Sequence, residues 1–548
     1  MDGVPFCESW VIELRKKPHE DKNRATTPAG QSRGTHLLKK GQKSLLRLVF
    51  SRMSIVLALL LINITILFAI FGWLEELLPL FYGANTIFVV AMVIYLINSS
   101  MDASVKITWL IVIMLLPVFG SLLYLYIQTE LGHRTMKKRL NNIYATTKDM
   151  LQPTQGIEKL AEENPGAAAM ARYVNSVTGI PVYQNSDVTY FSCGEDMFER
   201  MLQELEKATA SIYLEYFIID EGNMWGSILD VLVRKAAQGV DVRVMYDGTC
   251  EFALLPKGYS EKLQKLGIKC QVFAPVTPFL STHYNYRDHR KILTIDGKVA
   301  FTGGINLADE YINAKTRFGY WKDTAVMISG EATKGLEYMF LQVWNLREKD
   351  FVFPESECRA TQHPVCDGFV MPYFDDPLDN EHIGRQVYID ILNRAERYVH
   401  IMTPYLILDG ELETALKYAA KRGVDVVLLL PGIPDKKIPY ALAKSHYASL
   451  TEAGVKIYEY TSGFVHAKVM VADDQEAVVG TINLDYRSLY HHFECAVYMN
   501  NVQCIKDIVR DFDSGIAQSK MVTPQSIKNE KLYYKVVGRL LKVIAPLL

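Results

Sequence analysis

Net charge is what this sequence has least of: 59 Lys and Arg against 61 Asp and Glu leave −2 at pH 7. That removes the overall positive field of a duplex-binding protein, so no nucleic-acid partner is expected and any polyanion site is local. Cysteine clustering is also missing. Cys7, Cys193, Cys250, Cys270, Cys358, Cys366, Cys495 and Cys504 are dispersed, with no C-x-x-C and no Cys/His group at ligand spacing. They read as reduced, mostly structural thiols. Apolar residues are not scarce. At 49% of 548 residues they are too many for a disordered chain, and the length is too great for one core, so two or more domains are expected.

Three runs carry no charge: Met53 to Leu74, Leu77 to Met101 and Ile107 to Gln128. A bilayer-spanning helix needs about 20 apolar residues, so 53–128 reads as a membrane segment of two or three helices. Trp73, Tyr82, Tyr95, Trp109, Tyr124 and Tyr126 suit its interfaces. A cleaved signal is not expected, because some fifty mostly polar residues precede the first run and Glu75-Glu76 follows it. Residues 1–52 form a basic tail, expected to be disordered and to lie over anionic headgroups. Basic residues flank both ends of the segment, at Arg47 and Arg52 and again at Arg134, Lys137, Lys138 and Arg139. The positive-inside rule then asks for an even number of spans and places the globular part in the cytoplasm.

After a linker over 129–188, short apolar runs bounded by Gly and Asp alternate with helical stretches, an α/β pattern. The pattern occurs twice. Ala208 to Asp220 is echoed by Ala395 to Asp409, Ala236 to Val244 by Ala420 to Leu428, and Leu266 to Val272 by Ala453 to Tyr458. Gly239 and Gly423 mark the helix ends. Two long copies fit a pseudo-twofold pair of domains better than a repeat array. We place them at 189–353 and 379–548, joined by 354–378, where Pro, Cys, Asp and Gly replace periodic structure.

Each copy carries one chemical motif. The first has His289-Arg-Lys291, then Asp296-Gly297 and Gly303-Gly-Ile-Asn306; the second has His466-Ala-Lys468, then Asp473 and Gly480-Thr-Ile-Asn483. Residues i and i+2 of a strand share a face, so each copy presents an imidazole and an ammonium together. Asp296 and Asp473 fall at strand ends, Asp296-Gly297 reading as a turn, and their odd offset from the lysine assigns them to holding geometry. Two imidazoles, two ammoniums and the amides of Asn306 and Asn483 suit a phosphodiester anion: lysines neutralise its oxygens, one histidine attacks phosphorus, the other protonates the leaving group. No metal is called for, since the Asp/Glu clusters of Mg²⁺ chemistry are missing. Glu494 and Asp323 are candidates to orient the histidines, Asp323 within the first copy, with Glu215 a further possibility.

These motifs resemble the phospholipase D superfamily, and within it the bacterial cardiolipin synthases. The resemblance runs from about Ile107 to the C-terminus and includes Trp109 to Gly120, Pro377-Leu-Asp-Asn380, Thr403-Pro-Tyr405 and Gly480 to Ser488. It implies a pair of α/β/α sandwich domains with the active site between them and a phosphohistidine intermediate on His289, with His466 as general acid; the pseudo-symmetry leaves the two interchangeable. It also implies condensation of two phosphatidylglycerol molecules into cardiolipin and glycerol, without cofactor or nucleotide donor. Two departures stand out: Met371 to Asp376 replaces Ser-Gly-Pro-Asp, and His492 stands where many relatives have Asn. Hydrolytic phospholipase D, phosphatidylserine synthase, a nuclease and an inactive membrane scaffold are the alternatives. Anchoring at a surface dense in headgroups favours transfer over hydrolysis, and the segment from Lys531 to Lys542 reads as a C-terminal amphipathic helix.

Overall fold

The computed structural model describes residues 61, 65 and 78–547, save 100, 129–130, 148–149, 152–153, 276–285, 352, 354–365 and 380. The basic tail and nearly all of the first apolar run lie outside these residues. Two compact units emerge, one that holds the described residues up to Arg134 and one of nearly all the rest.

In the first unit the second apolar run forms helix α1 (Leu78–Ile97). The third, expected as one span, is instead α2 (Ala103–Leu115) and α3 (Pro117–Gln128). Pro117 explains the break: it lacks an N–H and pushes the preceding residue out of the helical region, and Leu116 sits at φ −136°, ψ 74°. At 13 residues, α2 rises roughly 20 Å, short of a hydrocarbon core of about 30 Å. Among the described residues no helix is long and apolar enough to cross a membrane. The three helices close on Met92, Leu96, Trp109, Ile113 and Tyr124, with the Trp109 and Tyr124 rings edge to face at 5.2 Å. A Cβ at Gly120 would lie 2.7 Å from the Val112 carbonyl oxygen, so only glycine lets α3 fold back this tightly on α2.

The second unit holds two sheets of one topology. The first contains β1 (Ser186–Phe191), β2 (Ser211–Tyr216), β3 (Asp241–Asp247), β4 (Lys269–Phe273), β5 (Lys291–Ile295), β6 (Val299–Gly303) and β7 (Ala325–Gly330), in the order β1-β7-β6-β5-β2-β3-β4. The second contains β8 (Phe369–Asp375), β9 (Tyr398–Met402), β10 (Asp425–Pro431), β11 (Lys456–Tyr460), β12 (Val469–Ala472), β13 (Glu476–Gly480), β14 (His492–Asn500) and β15 (Ser519–Met521). Its order is β8-β14-β13-β12-β9-β10-β11-β15. In each, three strands run parallel (β2, β3, β4 and β9, β10, β11) and the motif strand, β5 or β12, pairs antiparallel with the first of them. The duplicated sequence is thus a duplicated sheet. Gly239 and Gly423 end the crossover helices with φ +91° and +103°.

The halves share one core. Ile292, Ala300, Val326 and Ile328 of the first sheet pack with Met402, Val469, Val471, Val479 and Val497 of the second. Helix Pro165–Thr178 precedes the first sheet in the chain, yet Ala167, Ala168, Ala171 and Val174 join the core of the second half with Phe369, Tyr373 and Ile383.

The motif aspartates close the turns after β5 and β12. Asp296 and Gly297 have φ 52° and 61°, Asp473 and Asp474 54° and 60°, the mirror-image turn whose twist suits a hairpin. The Asp296 carboxylate accepts from the N–H groups of Thr209, Ala210 and Ser211; Asp473 does the same for Glu396, Arg397 and Tyr398. Burial opposes ionisation of Asp296, but these donors outweigh it and hold the carboxyl below the usual range. Each aspartate therefore pins the start of the neighbouring strand, at the far end of β5 or β12 from the histidine. D296A, which loses these bonds and strains a left-handed residue, should lower stability by about 3 kcal/mol, and D296N by less. Because the carboxyl is held low, its contribution is present above the unfolded pKa and lost as pH falls through the folded one. Urea midpoints should rank wild type, D296N, D296A near neutral pH, with the first two converging in acid; equal midpoints for both variants would contradict the assignment.

Candidate active site

Two short strand pairs cross between the halves and set the motif histidines. Arg287–Asp288 runs parallel to the start of β14 (His492↔Arg287, Phe493↔Asp288), and the His289 N–H donates to the Phe493 carbonyl at 2.9 Å. In the other copy Gly463–Val465 runs parallel to Tyr320–Lys322, and the His466 N–H donates to the Lys322 carbonyl at 2.7 Å. The sequence pattern places both histidines on the strands with their lysines. In the structure β5 begins at Lys291 and β12 at Val469, because the residues before each histidine pair with the opposite half.

The carboxylates cross over as well. His289 Nδ1 lies 3.0 Å from Glu494 Oε2, and His466 Nδ1 lies 2.7 Å from Asp323 Oδ2. Asp323, expected to serve its own copy, serves the second, and Glu494 serves the first. A carboxylate only accepts, so each Nδ1 carries the proton and each Nε2 keeps a lone pair. Lys291 Nζ donates to the His289 carbonyl at 2.5 Å. Lys468 Nζ donates to the His466 carbonyl and lies 2.9 Å from His466 Nδ1. All six side chains are buried.

Burial dominates the electrostatics. It lowers His289 to about 3, helped by Lys291 and opposed by Glu494. It lowers His466 to about 4, helped by Lys468 and Lys291 and opposed by Asp323. Both imidazoles are thus neutral. The ammoniums follow, Lys291 to about 8 and Lys468 to about 7, burial leading in each. Burial works against ionisation of Glu494 and Asp323 too, but His289 and His466 beside them hold the carboxyls low. Lys291 acts on His466 and Glu494 acts on Lys468, so both triplets lie in one field. Two cations desolvated to the edge of losing their protons make a site that gains from an entering anion.

The two motif amides are not equivalent. Asn306 Oδ1 accepts from the Ile218 N–H at 3.0 Å and Nδ2 donates to Tyr311 Oη at 2.8 Å, leaving one hydrogen for a ligand. Asn483 Oδ1 has no partner among the described residues. Glu215 lies apart from the histidines, ion-paired with Arg290, which also bonds Asp288.

Sequence reading missed two contributors. Thr481 Oγ1 donates to Glu494 Oε2, holding the carboxylate from behind. Aromatic rings wall the imidazoles: Phe217 is 4.9 Å from His289, Tyr311 and Trp321 each 5.4 Å from His466. His492, which the sequence marks as a departure from its relatives, has its ring 5.3 Å from that of His289 and stands two residues before Glu494 on one strand. His289, His492 and Glu494 each offer a ligand atom within 4.8 Å of the others, the one group among the described residues with metal-binding spacing. The Lys291 ammonium opposes a cation there.

Known proteins with this arrangement share its sequence. The family model "Cardiolipin synthase, PLD-like domain" matches residues 201–344 and 388–516, and "Phospholipase_D-nuclease N-terminal" matches 87–128. The cardiolipin synthase of Halalkalibacterium halodurans is 31% identical over 502 residues, 91% of this chain and 100% of that protein. That of Geobacillus kaustophilus is 34% identical over 488 residues, 87% of this chain and 95% of its own. The crystal structure of phosphatidylserine synthase from Haemophilus influenzae superposes with a TM-score of 0.51 at 15% identity, covering 70% of this chain and 98% of that one, a likeness of fold. The chain belongs to the bacterial cardiolipin synthases of the phospholipase D superfamily.

Proposed function

We propose that the protein joins two phosphatidylglycerol molecules into cardiolipin and glycerol through a phosphohistidine. The carrying observation is the pair of buried imidazoles, each with Nδ1 held by a carboxylate of the opposite half. His289 Nε2 attacks phosphorus: the N–P bond forms, the bond to the headgroup glycerol breaks, and His466 Nε2 gives that oxygen its proton. Entry of the diester anion opposes the desolvation of His466 and supplies the charge that lets it hold this proton. A headgroup hydroxyl of a second phosphatidylglycerol then gives its proton back to His466, its oxygen bonds phosphorus, and the N–P bond breaks. Lys291 and Lys468 neutralise the phosphoryl oxygens, with Asn306 and Asn483 lining the same site, and Asp296 and Asp473 fix the strands that carry the motifs.

The protein is membrane-associated. We place its apolar N-terminal segment in the bilayer as the anchor, its basic tail and catalytic halves on the cytoplasmic side, and its substrate mouth toward an anionic lipid surface. The C-terminal helix Leu532–Lys542 supports this, since Leu532, Val536 and Leu540 stand exposed beside Arg539 and Lys542, an amphipathic pattern suited to an interface.

Phosphatidylglycerol as sole lipid in mixed micelles should yield cardiolipin and free glycerol in equal amounts; phosphatidic acid instead would make the protein a hydrolase. H289A and H466A should each lose at least about a thousandfold in rate, because nucleophile and acid act as a unit. Near-normal turnover of either would refute the roles given. The lysines bind the anion only while protonated, so with Lys468 at about 7 and Lys291 at about 8, kcat/KM should fall at least roughly tenfold between pH 7 and 9. A profile flat to pH 9 would show that neither ammonium titrates in this range.

A further inference from the structure

Among the positions where the two copies differ beside the motif histidines, one changes the chemistry of a ring. Trp321 and His492 each stand two residues before the carboxylate that crosses over, on the strand pair joining the halves, and each ring lies just over 5 Å from the histidine so held. One half thus has an indole where the other has an imidazole. His492 is only 8% exposed, and among the described residues its Nε2 has no hydrogen-bond partner. Its Nδ1 stands 3.5 Å from Glu494 Oε1, whose carboxyl it helps to hold low. A buried polar group left unpaired is unfavourable, so a ligand that completes it is favoured.

The geometry narrows that ligand. One carboxylate faces two imidazoles: Glu494 Oε2 meets His289 Nδ1 at 3.0 Å and Oε1 faces His492 Nδ1 at 3.5 Å. With both Nδ1 atoms turned to Glu494, the far nitrogen of each ring, Nε2, is left on the side away from the carboxylate. A metal ion at this place is opposed by Lys291, whose Nζ is bonded to the His289 carbonyl. An oxygen carrying partial negative charge on the reacting phosphorus suits an N–H there.

We propose that His492 is a further catalytic residue of the transfer reaction: as an imidazolium, with Nδ1–H toward Glu494 and a second proton taken from solvent as the diester anion enters, it donates from Nε2 to a non-bridging phosphoryl oxygen of the lipid phosphodiester on which His289 acts. This rests on the phosphatidyl-transfer reading. It gives the site a charged imidazolium donor on the His289 side where the other side has the neutral Trp321 indole, so the two non-bridging oxygens are held differently.

The test uses the full-length enzyme and the two phosphorothioate diastereomers of phosphatidylglycerol, in which sulfur, a weak acceptor, replaces one non-bridging oxygen or the other. Wild type should prefer one diastereomer by kcat/KM for glycerol release, and H492F should shrink that preference at least fivefold, H492N less. On ordinary phosphatidylglycerol H492F should lose about tenfold to a hundredfold in kcat/KM, the effect of one hydrogen bond to a charged group. The diastereomer ratio is taken within one preparation, so loss of folded enzyme cancels. A wild type without preference, or an H492F whose ratio is unchanged, would overturn the proposal. Failure of the synthase reading shows separately, in phosphatidic or thiophosphatidic acid as product, because glycerol release is scored whichever acceptor takes the phosphatidyl group.

Discussion

The site depends on a crossed pair of buried charges. Each motif histidine receives its carboxylate from the other half of the chain: Glu494 reaches His289 and Asp323 reaches His466. A carboxylate taken out of water without a partner is expensive, and so is an ammonium. Here two of each are buried around two imidazoles, and the arrangement is tolerable only because every charge faces an opposite one or a polar ring. The backbone enforces it. The strand pairs His492–Phe493 with Arg287–Asp288, and Gly463–Val465 with Tyr320–Lys322, carry the imidazoles to the carboxylates before any side chain chooses a rotamer.

Burial then does two things at once. It strips the imidazoles of their protons, which suits a nitrogen meant to attack, and it destabilises the ammoniums, which an incoming phosphate restores. The apolar core shared by the sheets, with Ile292 and Ala300 on one side and Val469 and Val471 on the other, keeps the halves in register around these buried charges.

Much of this was written in the sequence. Two copies of one strand–helix pattern became two sheets with one strand order, and the H-x-K-x4-D spacing marked both site strands and the turns that close them. What escaped was whatever depends on packing between copies. Nothing near Asp323 says that it serves the second histidine, because the contact spans 143 positions. Phe369–Asp375 falls in a stretch that Pro372 and Asp375 made look like a linker; it is an edge strand, where a proline's missing N–H is tolerated. The uncharged run from Ile107 to Gln128 reads as one helix by hydropathy, which is blind to the break that Pro117 imposes.

The crossing of the carboxylates bears on how such a chain can arise and be divided. A single half holds an imidazole without its acid, so it is idle alone, and two separately translated halves regain both pairs only by reassembling. A one-copy ancestor with this geometry works as a symmetric homodimer, each molecule lending its acid to the neighbour. Fusion into one polypeptide releases the copies from that enforced identity, and the indole and imidazole at Trp321 and His492 mark where they have drifted apart.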